Sequence, residues 1–241
     1  MIKNCIIINL DERTDLWNKL QNFRNQWEKY GNKIIKISGV NYKDKPNVVN
    51  DFISKNRLNL NGSGFRKTKE GFLGELGCYM GHYNSWKYIV DNNLDNCLIL
   101  EDGIEFLRND FENIKINDDL DILFINEEMK VQTNDNKKQF IGYGLQGYIV
   151  SQKGAKLLLE NCFTLSVPID LQIRNLCNIH KINGDGIYNY YVKRNNNRLS
   201  SIQGTFTNQG ENLNDKQDHF TIFQRLIINL IIKNINLDEF I

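Results

Sequence analysis

The sequence predicts an α/β fold built on a parallel sheet, and the first forty residues indicate it most clearly. Residues 5–8 form a short apolar, β-branched run that ends just before Asp11, as a buried strand does on leaving a sheet. From Thr14 onward, apolar residues recur at helical spacing until Gly31. A second apolar run follows at once, at residues 34–37. A strand–helix–strand unit of this kind typically builds a parallel sheet.

The middle of the chain continues the alternation of strands and helices. Apolar runs predict four further strands, at residues 97–100, 121–125, 147–150 and 187–192. Amphipathic patterns predict three further helices, at residues 74–90, 153–161 and 168–177. Pro168 stands near the first turn of the last of these helices, where proline is well tolerated.

Two regions interrupt this pattern. Residues 41–71 are polar and rich in Asn and Lys, which predicts a short helix at 48–55 and a long loop. After Ser201 the composition shifts to Gly, Asn and Gln, and an apolar helix follows at 218–234. We therefore predict one domain over residues 1–202, and a linker with a carboxyl-terminal helix over residues 203–241. That helix packs on the domain or pairs with a second subunit, which would make a homodimer.

The composition excludes several classes of protein. The 241 residues carry a formal net charge of +1, whereas a dedicated nucleic-acid-binding domain has a basic excess. The five cysteines show no CxxC pair and no zinc-finger spacing, which favours buried free thiols in a reducing compartment. The amino terminus lacks the pattern of a secretory signal, and no run reaches the ~20 apolar residues that cross a bilayer. These features predict a soluble, cytoplasmic protein without a transmembrane segment.

Acidic residues follow the predicted strands. Asp11 follows the first strand, and Glu101, Asp102 and Glu105 follow the strand at 97–100. The carboxyl ends of parallel strands meet at one edge of a sheet, where ligands bind in open α/β folds. Such carboxylates could hold a divalent cation and a nucleotide diphosphate, or simply cap the next turn. The sequence contains no P-loop, no dinucleotide-binding GxGxxG in the correct context and no GxSxG nucleophile elbow.

A set of ordered motifs resembles glycosyltransferase family 25, the group of lipooligosaccharide and collagen galactosyltransferases. One segment, Gly-Glu-Leu-Gly-Cys-Tyr-Met-Gly-His at 74–82, is close to the family's Gly-Glu-Ile-Gly-Cys-x-x-Ser-His. Five other segments resemble family motifs in the same order: Ile-Asn-Leu-Asp-Glu-Arg at 8–13, Ile-Ser-Gly-Val-Asn at 37–41, Leu-Ile-Leu-Glu-Asp at 98–102, the run 147–158, and Pro-Ile-Asp at 168–170. Each motif alone is weak, but their order along residues 6–202 is specific.

The resemblance implies a GT-A-like fold and transfer of a hexose, galactose or glucose, from a UDP-sugar to a hydroxyl of a glycan or protein, with inversion. It also implies roles for particular residues. These are donor binding by Asn9, Asp11, Arg13, Glu75, His82 and Glu101, metal binding (Mn²⁺ or Mg²⁺) by Asp102 and Glu105, and catalysis by Asp170 as the base for the acceptor hydroxyl. From the residues alone, His82 is more typical of a packed helix residue, and Asp170 of a charge at a helix amino terminus.

The chain departs from the family pattern at two positions. Gly103 stands where the family has its last acid of Glu-Asp-Asp, and Gly81 stands where it has Ser before His. The missing carboxylate would weaken metal binding or shift it to the neighbouring acids. An alternative function is therefore a degenerate domain that binds a nucleotide sugar, or assists assembly, without transfer. A different nucleotide-dependent transferase on a similar sheet is the other alternative.

Overall fold

The computed structural model of the chain describes residues 2–41, 47, 69–134, 137–162 and 167–195. The short helix predicted at 48–55, the linker, the helix at 218–234 and its dimer contact lie outside the described residues. The carboxyl boundary of the predicted domain at residue 202 also lies outside them. Among the described helices, none is long and apolar enough to cross a membrane.

The described residues form ten strands and five α-helices. In chain order these are β1 (Asn4–Asn9), α1 (Thr14–Lys19), α2 (Gln21–Lys29), β2 (Lys33–Ser38), α3 (Lys69–Asp91), β3 (Cys97–Glu101), β4 (Ile104–Phe106), β5 (Ile122–Phe124), β6 (Met129–Asn134), β7 (Lys137–Gly142), β8 (Gly147–Val150), α4 (Gln152–Asn161), α5 (Ile169–Asn178), β9 (Gly184–Gly186) and β10 (Val192–Arg194). A single turn of 3₁₀-helix, Phe111–Asn113, precedes β5.

The central sheet is mixed, with strand order β2-β1-β3-β8-β5-β9. β1 pairs in parallel with both β2 and β3, and β5 pairs in parallel with β9, as the sequence predicts for a parallel sheet. β8 is antiparallel to β3 and β5, which corrects the expectation of an all-parallel sheet. The β6–β7 hairpin connects β5 to β8 without a crossover helix, so the chain returns in the opposite direction.

Two predicted elements differ in detail. The helix pattern that begins at Thr14 is divided at Leu20 into α1 and α2. The strand predicted at 187–192 does not form as such. The chain pairs instead at β9, before that run, and at β10, which is antiparallel to β4. β9 reads Gly-Asp-Gly, a sequence with low strand propensity, and a Cβ at either glycine would overlap a neighbouring side chain.

Both faces of the sheet are covered by apolar side chains. Alternate residues of β1 and β3 face opposite sides: Ile6 and Ile99 pack with α3, α4 and α5, whereas Ile7 and Leu98 pack with α2. Trp27 is buried in the second cluster, as its helical spacing predicts, and Trp17 packs at the margin of that cluster. The free cysteines at positions 5, 97, 162 and 177 are buried, and Cys78 is partly buried. The sheet is therefore buried on both faces, and its carboxyl edge positions the site.

Candidate functional site

A cleft lies at the carboxyl edge of β1, β2 and β3, beneath α3. Parallel pairing sets β1 and β3 in register, with Ile8 opposite Glu101, so both strands end at this edge. Ligands of open α/β folds bind at such an edge. The cleft is lined by residues from the ends of these strands, the turns that follow them, and α3: Ile8, Leu10, Arg13, Gly39, Val40, Asn41, Gly74, Gly77, Cys78, His82, Glu101 and Asp102.

Asn9 supports Asp102 from below the cleft. The Asn9 side chain is almost fully buried, and its Nδ2 donates to Asp102 Oδ2 at 2.8 Å and to the Arg13 carbonyl at 3.2 Å. Burial raises the pKa of Asp102 to about 6, although the Arg13 charge and the Asn9 hydrogen bond act in the opposite direction. Asp102 therefore changes its charge near neutral pH, directly at the cleft.

Glu101 is held from the other side by a buried chain of hydrogen bonds. His82 Nε2 lies 3.3 Å from Glu101 Oε1, and His82 Nδ1 lies 2.9 Å from the Tyr148 hydroxyl. Trp86 Nε1 donates to the same hydroxyl at 2.9 Å. Burial acts to raise the pKa of Glu101, but the hydrogen bond from His82 and the charge of Arg194 outweigh it and keep that pKa below its ordinary value. Glu101 is therefore ionised at neutral pH.

Cys78, His82 and Glu101 form the one group in the described part of the chain whose side chains could together hold a metal ion. Their ligand atoms all lie within 4.8 Å of one another. Sulfur, nitrogen and oxygen ligands suit zinc, whereas Mn²⁺ and Mg²⁺ prefer oxygen. For these harder cations the cleft offers the carboxylates of Glu101 and Asp102.

The structure brings four of the predicted site residues together as lining of the cleft: Arg13, His82, Glu101 and Asp102. Asn9 lies beneath them. Asp11 is at the rim, where its Oδ1 accepts from Ser38 Oγ at 2.9 Å and lies 3.0 Å from Lys36 Nζ. Glu75 lies on α3 between two lining glycines.

The remaining two predicted residues do not line the cleft. Glu105 is on β4, and Lys193 Nζ lies 3.2 Å from its carboxylate. Asp170 is in the first turn of α5, where its Oδ2 accepts from the Gly144 amide at 2.8 Å. Burial raises the pKa of the Cys78 thiol, and the charges of Glu101 and Asp170 add to this effect. The roles of Glu105 as metal ligand and Asp170 as base stay predictions.

Sequence reasoning missed a polar cluster behind Glu101. With the Gln146 amide oriented to satisfy both its groups, its oxygen accepts from Arg194 Nη2 at 2.8 Å and its nitrogen lies 3.2 Å from Glu128 Oε2. The Arg194 amide donates to Glu128 Oε1 at 3.1 Å. No spacing in the sequence links these residues, because β10 reaches the site through tertiary pairing, with β4 and with the segment that follows β5. Tyr148 lies in the run 147–158 that resembles a family motif, and a tyrosine hydroxyl in an otherwise apolar strand was the one sign in the sequence that this residue forms a buried hydrogen bond.

Comparison with known proteins identifies the family. A family model described as "Glycosyltransferase family 25 (LPS biosynthesis protein)" matches residues 1–142, which is more than half of the chain. Those residues include every residue that lines the cleft. The match therefore covers the strands, the helix and the turns that line the cleft, whereas Tyr148 and Arg194 lie beyond it.

Curated relatives share the same region. Procollagen galactosyltransferase 1 of Danio rerio is 31% identical over 127 residues, which are 45% of this chain and 21% of the relative. Procollagen galactosyltransferase 2 of Homo sapiens is 27% identical over 128 residues, 45% of this chain and 20% of the relative. A glycosyltransferase 25 family member of Aedes aegypti is 29% identical over 141 residues, 51% of this chain and 23% of the relative. The matched part of the chain thus spans only about a fifth of the length of these relatives. The family model, however, matches more than half of this chain, and the chain therefore belongs to glycosyltransferase family 25.

Proposed function

We propose that the chain transfers a hexose, galactose or glucose, from a UDP-sugar to a hydroxyl of a glycan or protein, with inversion, on a GT-A-like fold. The observation that carries this proposal is the cleft at the carboxyl edge of β1 and β3, where a cation, Arg13, and two carboxylates, Glu101 and Asp102, meet in a family 25 chain. The names of the relatives support galactose as the sugar.

The charges of the cleft suit a nucleotide diphosphate. Arg13 can pair with phosphate oxygens, and its position after β1 places it beside the edge where the nucleotide of open α/β folds lies. Asp102 would hold Mn²⁺ or Mg²⁺ in this proposal, since hard cations prefer oxygen ligands. The ion's contribution would be to neutralise charge on the departing diphosphate.

A binding module without transfer activity is the second candidate, and Gly103 is the observation that favours it. In the turn between β3 and β4, the Gly103 carbonyl accepts from the Asn195 amide at 3.1 Å, so this turn is held against β10. The turn provides no third carboxylate beside Glu101 and Asp102. Loss of a metal ligand should reduce transfer more than donor binding, because the metal acts mainly on charge that develops during the reaction.

Thermal melting with nucleotide sugars tests the proposal. We expect UDP-galactose or UDP-glucose with Mn²⁺ to raise the melting temperature, because a ligand bound only by the folded state at 100 times its Kd adds about 2.7 kcal/mol of stability. UDP-N-acetylglucosamine, CMP and GDP serve as comparison ligands. Release of UDP from the stabilising sugar nucleotide then separates the transferase from the binding module. Stabilisation by CMP or GDP ligands alone would contradict the proposal.

The pH dependence of donor binding tests the role of Asp102. With Mn²⁺, we expect the affinity for UDP-galactose to fall as the pH is lowered through about 6, because protonated Asp102 is a poor metal ligand. With EDTA instead, we expect affinity to rise by about tenfold over the same range, because a neutral Asp102 no longer repels the diphosphate. UDP-galactose is the suitable probe because its esterified diphosphate does not titrate there. Asp102→Asn should abolish both trends, and trends of the same sign with Mn²⁺ and EDTA would exclude Asp102 as a ligand.

A further inference from the structure

Glu101 combines a fixed oxygen with one that is open to the cleft. Its side chain is 30% exposed, and its Oε1 lies near His82 Nε2 and, at 3.9 Å, Cys78 Sγ. In the part of the chain that the structure describes, no donor contacts Oε2. A carboxylate held by one oxygen and open at the other is arranged to receive a proton from a bound molecule.

The proton positions in the supporting chain follow from the donor inventory. The Trp86 indole can only donate, so the Tyr148 oxygen accepts from it. Within the described residues, the only remaining partner for the Tyr148 hydroxyl proton is His82 Nδ1, at 2.9 Å. His82 Nδ1 is then an acceptor, and a neutral imidazole with an acceptor Nδ1 carries its proton on Nε2. That proton points at Glu101 Oε1.

This assignment weighs against a metal ion at Cys78, His82 and Glu101. A metal at His82 Nε2 would need the lone pair of that nitrogen, which would move the ring proton to Nδ1. The buried Tyr148 hydroxyl would then face two donors and lose the acceptor for its own proton. An unsatisfied buried polar group costs about 1–3 kcal/mol. The hydrogen-bond chain Trp86–Tyr148–His82–Glu101 is therefore the arrangement that the contacts favour.

Asp170, the base implied by the family resemblance, is placed differently. Its Oδ2 accepts from the Gly144 amide at 2.8 Å, and its Oδ1 accepts from the Leu171 amide at 2.9 Å. Both oxygens therefore accept from backbone amides, one in the segment between β7 and β8 and one in the first turn of α5, where a carboxylate also interacts favourably with the helix dipole. Asp170 also does not line the cleft, whereas Glu101 does.

We propose that Glu101 is the catalytic base, with His82 and Tyr148 as positioning residues. The inference rests on the proposed transferase function. Glu101 Oε2 takes the proton of the acceptor hydroxyl while the hydroxyl oxygen forms a bond to the anomeric carbon of the sugar. The bond from that carbon to the diphosphate oxygen breaks, and its electron pair leaves with UDP. The charged or titratable groups that face Glu101 are His82 and Cys78 from α3, Arg194 from β10, and its neighbour Asp102.

Hydrolysis of UDP-galactose, with water as the acceptor, compares the two candidate bases. We expect Glu101→Gln to lower kcat by about 10²–10⁴-fold, the usual contribution of a general base, with the thermal shift by UDP retained. The amide oxygen that this substitution introduces can still accept from His82, so the variant should fold. Asp170→Asn tests the base that the resemblance implies, and we expect a smaller loss of kcat in this variant than in Glu101→Gln. A collapse of kcat in Asp170→Asn with near-normal kcat in Glu101→Gln would overturn the proposal.

Tyr148→Phe tests the positioning chain through the pH profile. Without the hydroxyl, His82 Nδ1 loses the partner that holds the ring, so the hydrogen bond from Nε2 to Glu101 weakens, the pKa of Glu101 rises, and the acidic limb of kcat/KM should move to higher pH. Asp102 titrates in both proteins, so the difference between the two profiles reports on Glu101. An unchanged limb would contradict the positioning role of Tyr148 and His82.

Nitrogen NMR of the histidine rings provides a test that needs no activity. We expect the Nε2–H form of His82 in the wild-type protein, and a changed Nδ1 chemical shift in Tyr148→Phe, where that nitrogen loses the hydrogen bond from the hydroxyl. Wild-type protein that neither binds nor hydrolyses UDP-galactose would contradict the proposed function, while the NMR result would still decide the hydrogen-bond chain. A thiolate-to-metal absorption band on addition of Co²⁺, lost in Cys78→Ser, would show a metal site instead and overturn the proposal.

Discussion

Gly77→Ala is expected to destabilise the protein by about 2 kcal/mol and to weaken binding of UDP-galactose. A Cβ at Gly77 would overlap the Val40 carbonyl oxygen, and a backbone carbonyl moves aside less easily than a side chain. The overlap would push α3 away from the segment that follows β2, and both Gly77 and Val40 line the cleft. Overpacking of this kind costs about 1–3 kcal/mol. In a protein of this size, the melting temperature should fall by roughly 4–8 °C.

Gly81→Ala is the matched control on the same helix. A Cβ at Gly81 would lie 2.8 Å from Cγ2 of Ile8, which is a tight contact but one with a side chain and not with the backbone. Both substitutions gain up to about 1 kcal/mol of helix propensity, so the control should lose clearly less stability than Gly77→Ala. Differential scanning calorimetry and titration with UDP-galactose measure the two effects. Equal losses in the two variants would show that Gly77 is not specifically required by the Val40 carbonyl.

Asn9→Asp is expected to lower the free energy of unfolding by about 3 kcal/mol at pH 8. The substitution replaces the buried donor of Asn9 by a carboxylate that faces Asp102 Oδ2 and the Arg13 carbonyl, which leaves acceptors against acceptors. The two carboxylates would share a proton, so their apparent pKa in the folded state rises above its value in the unfolded state. The folded protein then binds more protons than the unfolded protein over this range, and stability falls as the pH rises.

Urea unfolding at pH 5 and pH 8 measures this effect relative to the wild-type protein. The difference between variant and wild type should be smaller at pH 5, where the pair is protonated. The double variant Asn9→Asp with Asp102→Asn restores a donor facing an acceptor, and we expect it to recover at least half of the loss. A double variant that is as unstable as the sum of its single variants would contradict a direct contact between the two positions.

Much of the architecture follows from patterns within short stretches of sequence. The apolar runs at β1, β3, β5 and β8 and the helical periodicity of α3, α4 and α5 all lie close to their predicted positions. These strands and helices bury apolar residues, and the spacing of apolar residues along the chain shows which segments do so. The β6–β7 hairpin and β9 were missed because polar strands and Gly-Asp-Gly carry little local strand signal.

The candidate site could be predicted only in part. Residues at the ends of β1 and β3 were predictable, since parallel neighbours end at one edge. The separation of Glu105 from Asp102 was not, because β4 turns away to pair with β10 and Glu105 contacts Lys193. A carboxylate three residues further along a chain can face another direction once a turn intervenes.

By itself, the sequence determined the family, the class of fold and the carboxylates and cation that border the cleft. Each of these depends on residue types in a fixed order, and the ordered motifs preserve that order. The tertiary structure decided which oxygen of Glu101 is held and which is open, and which nitrogen of His82 carries the proton. Those properties depend on contacts between α3, β3 and β8, whose residues are 19 to 66 positions apart in the chain. Hydrogen bonds require distances of about 3 Å, and only folding brings such distant donors and acceptors that close.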